Sequence, residues 1–132
     1  GIAAVFALGA SGAQIGTAFL ACPEAQIHPV HRELLLQTPS EATQVTRTIS
    51  GRPARAIVNR YITEMNESGA EPLAFPLQYS LSGPLNAASR KNDSSELMVM
   101  WAGQGAALAQ VLSARELLTK LAADAKTVLA EM

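Results

Sequence analysis

ALGASGAQIGTAFL, residues 7–20, holds two glycine-centred breaks around a short apolar run, and its reading decides the fold. Upstream, GIAAVFAL (residues 1–8) is apolar on every side, as suits a helix buried between neighbours, and Gly9 can take the left-handed position that ends it. Ala13, Gln14, Ile15 and Gly16 then form a run too short for a helix but long enough for a buried strand. Helix, tight turn and strand make half of a βαβ unit. Parallel strands require neighbours on both edges and helices on both faces, and no second strong parallel strand stands out in the chain. The missing neighbours are therefore expected upstream, and the initial Gly in place of Met fits a chain that continues N-terminally.

In a (β/α)₈ barrel the loops after the last strands offer backbone N–H groups to a phosphate. Gly16-Thr17 stands where such a loop would begin. Gly16 allows close approach to the backbone, Thr17 adds a hydroxyl donor, and the residues that follow can open a short helix whose N-terminus favours an anion. An ordinary strand-to-loop turn would use the same two residues.

Composition excludes several classes of partner. The chain of 132 residues is long enough for one domain with a sizeable core; 16% of residues are charged and the net charge is −1, which gives no electrostatic reason to expect nucleic acid or an anionic membrane. No apolar run approaches the roughly 18 residues of a membrane span. The single Cys22 cannot close an internal disulfide, so a reducing, cytoplasmic compartment is the default expectation.

Three separated stretches, GIAAVFALGASGAQIGTAFLACPEA, VTRTISGRPARAIVNRYI and WAGQGAAL, resemble in the same order the FMN-dependent nitronate monooxygenases, formerly called 2-nitropropane dioxygenases. The resemblance implies an α/β fold: the C-terminal fragment of a TIM (β/α)₈ barrel with a mostly helical lid inserted before the final helix. Residues 1–21 would be the last helix-strand unit with its phosphate-binding turn, 22–100 the lid, and 101–132 the closing helical segment. It makes Gly16 and Thr17 the FMN-phosphate contacts, with Gln14 on the strand leading to them. It sets Gln104, between Gly103 and Gly105, near the cofactor end, although a helix start needing small residues explains that stretch equally well. Tyr79 falls in a part of the family chain that approaches the substrate side, or else anchors its loop to the core. A catalytic histidine on an earlier strand has no counterpart in this sequence.

The implied activity is oxidation of an alkyl nitronate by FMN and O₂ to a carbonyl compound and nitrite. An FMN-dependent NAD(P)H:quinone or enoyl-thioester reductase of the same barrel superfamily is the alternative, and an inert structural piece is the third reading. The partners are then a nitronate, O₂ and the remainder of the barrel.

His28 and His31, flanked by Glu24 and Glu33, invite a metal reading. Pro29 suits the first turn of a helix and keeps His28 out of it, and no third ligand follows at zinc spacing, so no metal is expected and the two imidazoles are read as decorating the surface of the lid. Arg47, Arg52, Arg55 and Arg60 flank a Gly-Arg-Pro turn read as a short extended segment (Val45 to Ser50), a turn, then a helix; they could grip an anion or pair locally. Pro72, Pro76 and Pro84 argue against a long helix between residues 66 and 95, leaving one short helix around Leu85 to Arg90. The last helix is announced by the Ser113/Glu116 capping box, with Leu117, Leu121, Ala125 and Val128 on one face.

Overall fold

Glycines, prolines and side-chain caps set the helix ends in the computed structural model, which describes residues 1–131. The elements run α1 (Ile2–Ala7), α2 (Thr17–Leu20), α3 (Pro29–Gln37), β1 (Thr43–Thr46), β2 (Ala54–Ile57), α4 (Arg60–Ser68), α5 (Leu77–Lys91) and α6 (Ala114–Ala130). Single 3-10 turns lie at Pro23–Ala25, Ser40–Ala42 and Ala106–Leu108. Gly9 follows α1 at φ +93°, and Pro29 is the first residue of α3 with His28 extended before it. Asn59 caps α4 by accepting from the Ile62 N–H, and its amide donates to the carbonyls of Ser95 and Met98, both at 2.9 Å. One side chain thereby starts a helix and fixes the returning chain.

The capping box of α6 is complete: the Glu116 carboxylate accepts from the Ser113 N–H, and the Ser113 hydroxyl accepts from the Glu116 N–H at 3.2 Å. Ser113→Ala therefore costs about 1 kcal/mol, read as a shift in the denaturation midpoint at constant m-value. An unchanged midpoint would show that tertiary packing alone holds the start of α6.

The sheet is small. β1 pairs antiparallel with β2, Thr43 opposite Ile57 and Thr46 opposite Ala54. The other edge of β2 is covered by the returning segment: the Ile57 N–H donates to the Met100 carbonyl at 2.9 Å, the Ala102 N–H to the Arg55 carbonyl at 3.1 Å, and Ala56 bridges Trp101. Alternation along β2 then divides the interior in two. Ile57 joins Ala21, Leu35, Met98, Met100, Ala102 and Ala106, beneath α2 and α3. Ala56 joins Ile49 and Ile62, with Tyr61, Val99 and Trp101 against them.

Four features depart from the sequence expectations. Residues 13–16 form no strand and are largely exposed, because among the described residues no strand lies beside them to complete a ladder. In α1 only Ala3 is buried; Val5, Phe6 and Leu8 face outward. The Gly-Arg-Pro turn links two strands and not a strand to a helix, since Ala54–Ile57 pairs before α4 begins, and the first strand ends at Thr46 rather than Ser50.

The fourth departure is α5, which runs through Pro84 for 15 residues. Gly83 precedes the proline and has no Cβ to clash with its ring, and Ser80, whose carbonyl loses its helical donor, is exposed to water. The buried polar side chains of α5 hold it in place. Gln78 donates to the Thr48 carbonyl at 2.6 Å and accepts from the Leu73 N–H at 3.0 Å, while Ser82 donates to the Ile49 carbonyl at 2.8 Å.

Candidate functional site

Two glycine motifs far apart in the chain meet at one hydrogen bond. The Gly103 N–H donates to the Thr17 hydroxyl oxygen at 2.8 Å, across 86 positions of sequence. Small residues permit the approach: a Cβ on Gly103 would stand 3.1 Å from that oxygen. A hydroxyl that accepts an N–H bond keeps its own proton to donate elsewhere, so Thr17 can still serve a ligand. A Cβ on Gly16 would meet nothing within 4 Å, which leaves its backbone open to an approaching group.

A cleft of about 640 Å³ opens beside this junction. Gln14, Gly16 and Thr17 line one side, Gly103, Gly105 and Gln110 another, and the apolar face of α6 (Leu117, Leu121, Ala125 and Val128) a third. Gln110 was not foreseen; a lone glutamine after a 3-10 turn carries no sequence signal. A smaller pocket of about 270 Å³ shares Gly16, Thr17 and Gly103 and adds Leu20, Arg55, Trp101 and Ala102.

The remaining candidates are placed differently. Gln104 is exposed between its two glycines and lines neither pocket. Tyr79 lies on α5, 54% exposed, and also lines neither. Arg52 stacks over the Phe75 ring, 4.4 Å from its centroid, and Arg47 Nε donates to the Gly51 carbonyl. Arg55 donates through Nη1 to the carbonyl and hydroxyl of Thr43 at 2.9 and 3.2 Å. Among the described residues, Arg60 is the one of these four that pairs with carboxylates, those of Glu64 and Glu96.

The histidines correct their surface assignment. His31 is 6% exposed, and its Nε2 lies 3.1 Å from the Trp101 carbonyl; His28 Nε2 is 3.2 Å from the Arg90 carbonyl and 3.4 Å from Asp93. His31 on α3 and His28 just before it meet different carbonyls, because tertiary contacts, and not polarity, decide what a histidine faces. Among the described residues no three His, Cys, Asp or Glu side chains gather into a metal site.

Burial lowers the pKa of His31, the nearby Arg90 and His28 lower it further, and the Trp101 carbonyl opposes them. The unfolded chain takes up this proton near pH 6.5 and the folded chain resists it. The sign follows: stability due to neutral His31 is full above about pH 6.5 and declines as pH falls below it, with a slope of at most about 1.4 kcal/mol per pH unit. Denaturation midpoints at several pH values should show this decline, and His31→Gln should flatten it. An equal decline in that variant would take the effect away from His31.

The family model for nitronate monooxygenase matches residues 1–124. The chain belongs to the nitronate monooxygenase family. It is 41% identical over 127 residues to a nitronate monooxygenase of Paraburkholderia phytofirmans, covering 96% of this chain and 35% of that protein. A probable nitronate monooxygenase of Bacillus subtilis is 36% identical over 122 residues, again covering 35% of its length. This chain thus spans about a third of the family members it matches. Among solved structures, nitroalkane oxidase from Streptomyces ansochromogenes superposes with a TM-score of 0.86 at 42% identity, over 97% of this chain and 37% of that one. FabK from Thermotoga maritima gives a TM-score of 0.78 at 26% identity, over 98% of this chain and 41% of FabK.

Proposed function

We propose that this chain is the C-terminal part of a flavin-dependent nitronate monooxygenase barrel, supplying half of the FMN-phosphate cradle and the lid. The observation that carries the reading is the Gly103-to-Thr17 hydrogen bond, which brings together two of the stretches that resemble the family. Around it the residues suit a phosphate: Gly16 leaves room at the backbone, and Thr17 keeps a hydroxyl proton to donate. Gln14, at the edge of the same cleft, offers an amide to the cofactor, and Gln104, which follows Gly103 on an exposed loop, is proposed as a cofactor contact on the family resemblance alone. FMN bound here would supply the redox chemistry, oxidising an alkyl nitronate with O₂ to a carbonyl compound and nitrite.

The tasks left to these residues are to bind the phosphate, orient the cofactor and cover the substrate. Tyr79, exposed on α5, is the proposed substrate-side residue of the lid. The histidine expected to act as catalytic base lies outside this sequence. No helix among the described residues is long and apolar enough to cross a membrane, and we place the enzyme in the cytoplasm.

The test uses a complete barrel carrying this chain. Saturable FMN binding, with anaerobic bleaching of the flavin on adding an alkyl nitronate, is the expected result. Bleaching by NAD(P)H and not by nitronate would replace the reading with a reductase. Absence of flavin binding would leave the chain a structural piece.

A further inference from the structure

His31 is a buried donor that the cofactor reading does not use, yet it touches the segment on which that reading depends. Trp101, Ala102 and Gly103 are each held by a different element. The Trp101 carbonyl lies 3.1 Å from His31 Nε2 on α3, the Ala102 N–H donates to the Arg55 carbonyl on β2, and the Gly103 N–H donates to Thr17 at the head of α2. Two consecutive peptide groups are thereby pinned in three directions: Trp101–Ala102 through its carbonyl at His31 and its N–H at Arg55, and Ala102–Gly103 through its N–H at Thr17. The imidazole bonds that carbonyl through Nε2–H, the tautomer that leaves Nδ1 as acceptor.

The anchors differ in kind. Those on β2 and Thr17 are made by the N–H groups of the segment, whereas His31 alone among them engages a carbonyl, at the end farthest from Thr17. Removing it leaves the Trp101–Ala102 peptide held through its N–H on the Arg55 carbonyl, about which it can tilt, and the tilt is passed through Ala102 to the Gly103 N–H. Gly103 has no side chain to resist it, since a Cβ there would stand 3.1 Å from the Thr17 hydroxyl.

We propose that His31 is a positioning residue for the cofactor turn: by holding the Trp101 carbonyl it fixes the Gly103 N–H on Thr17, and so aims the remaining Thr17 hydroxyl proton at the bound phosphate. This rests on the reading of Gly16-Thr17 as a phosphate site. The consequence is selective. Phosphate recognition depends on His31, while contacts to the rest of the flavin do not.

The test compares FMN with riboflavin, which lacks the phosphate, in a complete barrel carrying this chain. His31→Leu keeps the bulk and removes the donor; it should weaken FMN binding about five- to tenfold, the loss of one hydrogen bond, and leave riboflavin binding unchanged. His31→Gln, whose amide nitrogen reaches the place of Nε2, should restore most of the FMN affinity, and His31→Asn, whose amide reaches only Nδ1, should not. Equal loss for both flavins, or equal behaviour of the Gln and Asn variants, would reduce His31 to a packing residue. If His31→Leu does not fold, the Gln and Asn pair decides the matter. Amide exchange at Gly103 separates this proposal from the one beneath it: faster exchange in His31→Asn than in His31→Gln supports the anchor even if the wild type fails to bind FMN, and identical exchange overturns it.

Discussion

Gly51→Ala should lower the unfolding free energy by about 3 kcal/mol or more, the largest loss expected from any single methyl group in this chain. Two independent costs combine there. Gly51 sits at φ +85°, where an L side chain is strained, and a Cβ built on it would stand well inside van der Waals contact of the Leu73 carbonyl oxygen and 2.6 Å from the Phe75 nitrogen. The obstacle is backbone, so no rotamer change can relieve it. That backbone is held by the Gln78 amide, which bonds both Leu73 and Thr48, so the hairpin turn and the approach to α5 must shift together. Urea denaturation with a graded set gives the check. Gly69→Ala, at φ +67° with open space around it, should cost about 1 kcal/mol, and Gly12→Ala, with no positive φ and nothing within 4 Å, under about 0.5 kcal/mol. Equal losses for Gly51 and Gly69 would mean that conformation alone matters and that the close approach to residues 73–75 is not maintained in solution.

Thr17→Val should have two effects at once. It removes the acceptor of the Gly103 N–H, costing about 1–2 kcal/mol of stability, and it removes the hydroxyl proposed to donate to the phosphate, weakening FMN about tenfold. Thr17→Ser keeps both functions and should resemble the wild type in each assay. A stability loss with FMN affinity intact would confine the hydroxyl to its Gly103 bond and leave the phosphate to the backbone at Gly16. Loss of FMN affinity with no change in stability would show the Gly103 contact to be dispensable. Flavin fluorescence titration and urea denaturation of the same variants separate these outcomes.

Local devices were plain: Gly9 after α1, Pro29 opening α3 and the Ser113/Glu116 box act within a turn, so their geometry is fixed by neighbours in the chain. The uncharged run LMVMW, residues 97–101, is buried at Met98 and Met100, where an apolar stretch has few other places to go. Pro84 misled because its cost depends on the residue before it and on solvent at the freed carbonyl; Gly83 and the exposed Ser80 reduced both. Residues 13–16 misled because a strand is a property of a pair, and among the described residues this run has no partner and is largely exposed.

The candidate site divides along the same line. Gly16, Thr17 and the Gly103–Gly105 loop were singled out by the family resemblance, since small side chains and a hydroxyl suit close backbone approach but also an ordinary turn or helix start. That they form one junction, that His31 is buried against Trp101, and that Arg55 turns to Thr43 could not be read in one dimension. Caps and turns draw their energy from residues a few positions apart and are written locally. Contacts spanning 86 positions exist only once the hydrophobic return of residues 98–102 has brought two distant segments side by side.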